Sequence, residues 1–128
     1  MKPKKHKPIV HTRFTFSDAE RKALSDALDF LMNCKDFSFD NAKIDPECAF
    51  EAAEKIDNGD CTLTRGELRA SAKAVEVAIH ALSDTNVDFS YIEEGFPGLI
   101  SDLKASLSIL VSLNPLLQSA VKDLKKYK

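Results

Sequence analysis

The chain has 128 residues, a formal net charge of −2 and 44% hydrophobic residues, which is ordinary for one globular domain. No stretch approaches the roughly 20 apolar residues of a membrane span, and no apolar run near the start matches a signal peptide. We therefore expect a cytoplasmic protein without membrane contact.

The beginning of the chain is strongly basic. We predict that residues 1–15 form a flexible leader and that residues 16–128 form a single helical domain, because prolines interrupt the leader and no apolar run follows its charges. Together with the Lys-rich C-terminus, the leader supports an alternative function, a nucleic-acid-associated accessory protein; a solubilising tail is the plainer interpretation. The candidate anion-binding residues are Lys2, Lys4, Lys5, Lys7 and Arg13.

A helix start occurs twice in this sequence. In the segments 16–27 and 63–74, an apolar residue and a hydroxyl are followed three positions later by Glu. This is the spacing of a capping box, formed by Ser17 with Glu20 and by Thr64 with Glu67. Apolar residues at helical spacing continue both helices, and an acidic connection follows each of them. The second helix is apolar almost all round, which predicts a central position.

Local signals also delimit a short helix between these two. Asp45 followed by Pro46 predicts its N-cap and its first residue, and the helix is expected to run to about Ile56. The Asn-Gly pair at residues 58–59 then predicts a turn, because Gly readily adopts positive backbone angles.

The C-terminal part follows a break at residues 95–98. A helix from Leu99 is expected to end at Asn114, where Pro115 begins a last helix. The predicted fold class is all-α: a compact bundle of five or six short helices, arranged as two degenerate helical-hairpin repeats plus a C-terminal helix pair.

The turn after the short helix resembles a calcium loop only superficially. With Glu67 at loop position 12, Asn58 and Asp60 fall at ligand positions 3 and 5, but Ile56 and Cys61 replace the first ligand and the hinge Gly. Glu67 is also the expected capping-box partner of the next helix. We predict a capped turn without metal. Weak cation affinity stays open for four residues: Asp57, Asn58, Asp60 and Glu67.

No catalytic or cofactor motif is present. Cys34, Cys48 and Cys61 lack Cys-x-x-Cys spacing and are interpreted as reduced structural thiols. His80, on the central helix, is interpreted as a partly buried core residue. We therefore expect no enzymatic activity and no cofactor, although a concave pocket gathering His80, a Cys and carboxylates would favour an enzyme.

The leading functional hypothesis is a non-catalytic helical module that binds another protein, or a second copy of itself. Its contact surface would be an apolar helix face or the groove between the two pseudo-repeats. The dense acidic residues at 18–60 are interpreted as a solvated surface in preference to a mimic of a phosphate backbone. Because the C-terminal helices have more apolar positions than one buried stripe needs, the candidate interface comprises Leu99, Leu103, Ile109, Leu113 and Leu116.

Overall fold

The computed structural model describes residues 11–124. This part of the chain forms seven α-helices and one two-stranded antiparallel sheet, which confirms the mostly helical class. The helices outnumber the five or six predicted, because two short ones, α2 and α5, lie in segments expected to be connections. The elements are β1 (His11–Arg13), α1 (Asp18–Asn33), α2 (Phe39–Ala42), α3 (Pro46–Asp57), β2 (Thr62–Thr64), α4 (Arg65–Ser83), α5 (Ser90–Gly95), α6 (Leu99–Ala105) and α7 (Leu107–Leu124).

Both predicted capping boxes are present. At the start of α1, Ser17 Oγ accepts the Glu20 N–H at 3.1 Å, and the Ser17 N–H donates to Glu20 Oε1 at 2.8 Å. At the start of α4, the same two bonds join Thr64 and Glu67 at 3.3 and 2.8 Å. Each box satisfies two backbone N–H groups, one at the cap and one in the first turn.

The two helices also end alike. The C-cap residues Cys34 and Asp84 both have extended backbones, and each N–H donates to the carbonyl three residues earlier. α4 has 19 residues and α1 has 16, so α4 is nearly one turn longer. This likeness at both ends agrees with the hairpin repeat, which stays a prediction.

The predicted limits of the short helix α3 are confirmed. Asp45 Oδ1 accepts the Glu47 N–H at 3.0 Å, and Pro46 is the first helical residue. Gly59 closes the following turn with φ at 85°, a left-handed value that residues with a Cβ rarely adopt.

The helix α4 is central, as its apolar circumference predicted: it packs against α1, α3 and α7. α3 faces its neighbours with three buried Ala residues, so the backbones approach closely. Where α3 meets α4, Cys48 lies so near Gly66 that a Cβ on this glycine would stand 2.5 Å from Cys48 Sγ. The alanines are Ala49, Ala52 and Ala53.

The folded part begins earlier than the predicted boundary after residue 15. His11–Arg13 pair with β2 in the register Thr12 to Leu63, and the Phe14 N–H donates to the Cys61 carbonyl at 3.0 Å. The Phe14 side chain, predicted to lie in a flexible leader, packs against the core. A three-residue strand has too little alternation to be visible in sequence, and its pairing depends on a partner fifty residues away.

The expected helix break at Asn114 and Pro115 is wrong. α7 runs through both residues, and the chain breaks instead at Ser106. The cost of Pro inside the helix is offset because apolar residues on both sides of Pro115 are buried in the core. These residues are Leu110, Leu113, Leu117 and Leu124.

Within residues 11–124, no single helix combines the length and hydropathy of a membrane span. The helices α6 and α7 reach those values only as a pair, and they bend by 75° at their break.

Candidate functional site

A cleft of about 550 Å³ lies where α1 and α4 end side by side. The C-cap residue of each helix, Cys34 and Asp84, contributes to its wall, and the segment entering α5 closes one side. The lining residues are Phe30, Cys34, Asp36, Phe37, Glu76, Val77, His80, Ala81, Asp84, Val87 and Tyr91.

The floor of the cleft is apolar and well supported. Phe30 is almost fully buried and packs edge-to-face on Phe89, with ring centroids 6.0 Å apart. Half-buried Phe37 packs edge-to-face on Phe39 at 4.9 Å, so both rings are held by aromatic neighbours. Val87 contributes a further apolar surface from the connection before α5. An entering apolar side chain would therefore meet a preformed surface.

The rim of the cleft is acidic. Asp36, Glu76 and Asp84 line it, and no Lys or Arg does so in the part of the chain that the structure describes. Glu76 Oε2 is neutralised by Lys73 Nζ at 2.7 Å, whereas Asp36 and Asp84 form no ion pair within residues 11–124. The carbonyl ends of both helices add partial negative charge.

An ammonium group already lies at the edge of this cleft. Lys35 Nζ is 4.4 Å from the centre of the Tyr91 ring, a cation–π contact. Burial raises the pKa of the Tyr91 hydroxyl, and the neighbouring Cys34 thiol raises it further. The Tyr91 hydroxyl therefore stays protonated. The aromatic face of Tyr91 and the acidic side chains of the rim together favour a cationic ligand.

The cleft does gather a His, a Cys and carboxylates, the combination that would favour an enzyme. His80 is exposed on the cleft wall, so its predicted place in the core is wrong. Its ring has no hydrogen bond to Cys34 or to an orienting carboxylate among the hydrogen bonds of residues 11–124, and the neighbour through which Cys34 acts is Tyr91, whose pKa it raises. Within residues 11–124, His80 and Cys34 therefore line the same cleft without the hydrogen bond that joins a base to its nucleophile.

The groove between the two predicted pseudo-repeats was one of the two contact surfaces predicted from the sequence, but the residues that line it were not predicted. Cys34 and His80 were interpreted as structural residues, and a pocket gathering His80 with a Cys was named only as the feature that would favour an enzyme. Their shared position follows only from the packing of the two helices.

The predicted interface on the C-terminal helices is narrower than expected. Leu99, Leu103 and Leu113 are buried in the core, and Ile109 is half-buried against it. Leu116 is 49% exposed. Most of the surplus apolar residues are buried, because α6 and α7 both pack against α1 and α4. Val111, outside the predicted set, is the other large exposed apolar residue of α7.

The loop resembling a calcium site holds an internal cation. Lys55 Nζ donates to Glu67 Oε1 at 2.8 Å and to the Thr62 carbonyl at 3.1 Å. Burial disfavours the charge of Glu67, yet the hydrogen bonds from Lys55 and Thr64 hold the pKa of this carboxyl below its ordinary value. Among residues 11–124, no three His, Cys, Asp or Glu side chains are placed to hold a metal ion.

A second acidic recess, of about 400 Å³, lies along α1. Burial, with the nearby charges of Asp57 and Asp26, raises the pKa of Asp29 to about 6. Ser25 Oγ donates to Asp57 Oδ1 at 2.5 Å, and Lys22 Nζ contacts Asp26 at 2.9 Å. These contacts tie Asp57 and Asp26 to neighbouring side chains, while Asp29 lies beside both of these like charges.

The candidate anion-binding residues are described only in part. Arg13 is exposed on β1, while Lys2, Lys4, Lys5 and Lys7 lie outside the described residues. Both described ends of the chain lie at the start of α4: His11 pairs with Thr64, and Arg65 Nη2 donates to the Leu124 carbonyl at 3.4 Å.

Comparison of the chain with protein-family models, with curated proteins and with solved structures finds no match.

Proposed function

We propose that this protein is a non-catalytic binding module whose cleft, between the C-terminal ends of α1 and α4, holds a basic and apolar segment of a partner protein. The observation that supports this most is the composition of the cleft. A preformed aromatic floor lies beneath an acidic rim, in which Asp36 and Asp84 form no ion pair within residues 11–124. Of the two surfaces predicted from the sequence, this cleft corresponds to the groove between the predicted pseudo-repeats and not to the apolar helix face.

The floor supplies the affinity in this proposal. A cleft of about 550 Å³ accommodates one or two side chains of a peptide. Burying one aliphatic side chain contributes roughly 1.5–3 kcal/mol, and aromatic surfaces such as Phe37 and Tyr91 suit such contacts. A partner segment therefore needs at least one Leu, Ile, Met or aromatic residue.

The rim supplies the preference for charge. Asp36 and Asp84 lack internal counter-ions among the described residues, and the helix ends add negative potential. A Lys or Arg next to the apolar anchor relieves this potential, whereas an acidic residue is repelled. Each exposed ion pair is worth no more than about 1 kcal/mol, so charge selects the partner more than it holds it.

The test uses a helical peptide of Leu and Lys that carries one Trp, with a Leu and Glu version as comparison. The protein has no Trp, so the peptide's fluorescence alone reports burial. Asp36→Asn with Asp84→Asn should weaken binding roughly tenfold. Glu47→Gln with Glu51→Gln, the same change of charge on exposed positions of α3, should leave it within about twofold.

The apolar contact has its own matched pair of variants. Val87→Ser should weaken binding of the Leu and Lys peptide by about fivefold or more, because the cleft loses the apolar surface of the Val87 methyl groups. Val111→Ser, an equal change on the exposed face of α7, should have no effect. Equal affinity for the Leu and Glu peptide, or equal effects of the paired variants, would refute the proposed cleft.

Self-association is tested by a further peptide. Residues 1–13 of this chain combine Lys with Ile9 and Val10, which is the chemistry that the cleft favours. Binding of this peptide to the cleft, lost in the Asp36 and Asp84 variant, together with a dimer in light scattering, would support a second copy of the chain as the partner.

A second candidate function, binding of nucleic acid, is favoured by the position of the chain ends. The basic segments 1–10 and 125–128 continue from His11 and Leu124, which lie beside neighbouring residues at the start of α4. Their lysines can therefore act on one polyanion. If four phosphates are contacted, affinity for a 20-base-pair DNA should fall about a hundredfold between 50 and 200 mM salt.

The control for this candidate separates the leader from the general charge of the protein. Lys2, Lys4, Lys5 and Lys7 changed together to Gln should remove most of the salt dependence, whereas Lys22→Gln with Lys104→Gln should not. Binding that ignores salt, or that survives loss of the leader charges, would exclude it.

A further inference from the structure

The loop between α3 and α4 has the ligand spacing of a calcium loop over part of its length. With Glu67 at position 12, Thr62 falls at position 7. In such loops the position-7 backbone carbonyl and the position-12 carboxylate both bind the cation. These two positions are five residues apart in sequence and converge only if the loop folds around a common point.

In this protein both groups converge on an ammonium. Lys55 Nζ lies 2.8 Å from Glu67 Oε1 and 3.1 Å from the Thr62 carbonyl oxygen. Lys55 is on the last turn of α3, so the charge is delivered from the helix that precedes the loop. The recess around it, about 290 Å³, is otherwise lined by acidic and amide side chains: Glu51, Glu54, Asn58, Asp60 and Glu67.

The positions that depart from the calcium pattern do not face the point where Lys55 Nζ lies. Ile56, at the first ligand position, is fully buried in the core, and Cys61, at the hinge position, is also buried. The Asp57 carboxylate accepts a hydrogen bond from Ser25 instead of facing the loop. Glu67, at 2% exposure, is nevertheless kept as a buried carboxylate, which requires a counter-ion.

We propose that the Lys55 ammonium is the built-in cation of this loop, bound by the carboxylate and carbonyl that would otherwise hold a divalent ion. It fixes α3 against β2 and α4 permanently. Calcium loops in sensor proteins change the angle between their helices when the ion binds. Here the charge is covalently attached, so the helix pair keeps one arrangement at any calcium concentration.

The first test measures what the charge contributes. Lys55→Met and Lys55→Gln should each lower the melting temperature by on the order of 5 °C or more, and they should speed amide hydrogen exchange at residues 59–64. Lys73→Met, which breaks the half-exposed pair with Glu76, should change the melting temperature by less than about 2 °C. Stability of Lys55→Gln equal to wild type would overturn the proposal.

The second test asks whether the position is one for a cation. Wild-type protein should melt at the same temperature in EDTA and in 10 mM calcium. In Lys55→Ala, calcium should restore part of the lost protection of residues 59–64, and adding Glu67→Gln should abolish this rescue. A calcium effect on the wild-type protein would overturn the proposal. The absence of a calcium effect on Lys55→Ala would also overturn it, because the Lys55–Glu67 contact would then be an ordinary ion pair.

Discussion

Gly66 on α4 lies so close to Cys48 on α3 that the effect of Gly66→Ala on stability should depend on the residue at position 48. A Cβ on Gly66 would lie 2.5 Å from Cys48 Sγ but 3.5 Å from Cys48 Cβ. The first distance is a clash between two packed helices, and the second is ordinary contact. Gly66→Ala should therefore be unfavourable with Cys48 present and acceptable with Cys48→Ala.

Two opposing terms set the size of this effect. Overpacking costs about 1–3 kcal/mol, whereas replacing Gly by Ala in this first turn of α4 gains up to about 1 kcal/mol, because the unfolded chain becomes less flexible. With Cys48 present, we expect Gly66→Ala to lower the free energy of unfolding by about 1 kcal/mol. In the Cys48→Ala background, the same change should raise it by about 1 kcal/mol, a coupling of about 2 kcal/mol.

Urea unfolding followed by circular dichroism measures all four proteins of this double-mutant cycle. Equal effects of Gly66→Ala in both backgrounds, within about 0.5 kcal/mol, would mean that α3 and α4 do not meet through these residues. The cycle is independent of any ligand, so it tests the helix packing that places the loop and the cleft.

Substitutions at four further positions test the environment of Asp29, the helix at Pro115 and the glutamates of the two capping boxes. The pKa of Asp29 in the folded protein, about 6, is above its ordinary value of 3.8. Protonated Asp29 therefore stabilises the fold fully below pH 4, and this contribution is lost as the pH rises through 6. Asp29→Asn should raise the melting temperature at pH 7.5, and the difference from wild type should disappear near pH 4. Pro115→Ala should raise the free energy of unfolding by about 1–3 kcal/mol in urea, because Pro115 is exposed inside α7; no gain would indicate a distorted helix there. Glu20→Gln should leave the free energy of unfolding nearly unchanged, whereas Glu67→Gln should lower it by about 2 kcal/mol because Lys55 loses its counter-ion. Equal losses of stability for the two variants in calorimetry would contradict this.

Features set by a few neighbouring residues were predictable from the sequence. The capping boxes of Ser17 and Thr64, the start of α3 at Pro46 and the turn at Gly59 are all confirmed. Each depends on hydrogen bonds or backbone angles within about four positions, so the local pattern contains the necessary information.

Features set by distant contacts were not predictable in this way. β1 exists because Leu63 and its neighbours offer a pairing edge, and α7 continues through Pro115 because leucines on both sides are buried. The burial of Leu103 and Leu113 likewise depends on where α6 and α7 lie. In each case the tertiary contacts outweigh the local preference.

The candidate site divides along the same line. The chemistry of Asp36 and Asp84 was visible in the acidic connections, but their position at one cleft required the packing of α1 beside α4. Lys55 gave no signal as a partner of Glu67, because twelve residues and a turn separate them. Its role appears only when the loop is folded.

Mapping where the Leu and Lys peptide binds shows whether the cleft holds a basic and apolar segment. We predict that its addition to ¹⁵N-labelled protein shifts the backbone amide signals of residues 30–37 and 76–91. The exposed faces around Phe50 and Leu116 should stay unchanged. Shifts centred on those faces, or spread evenly over the acidic surface, would contradict the account.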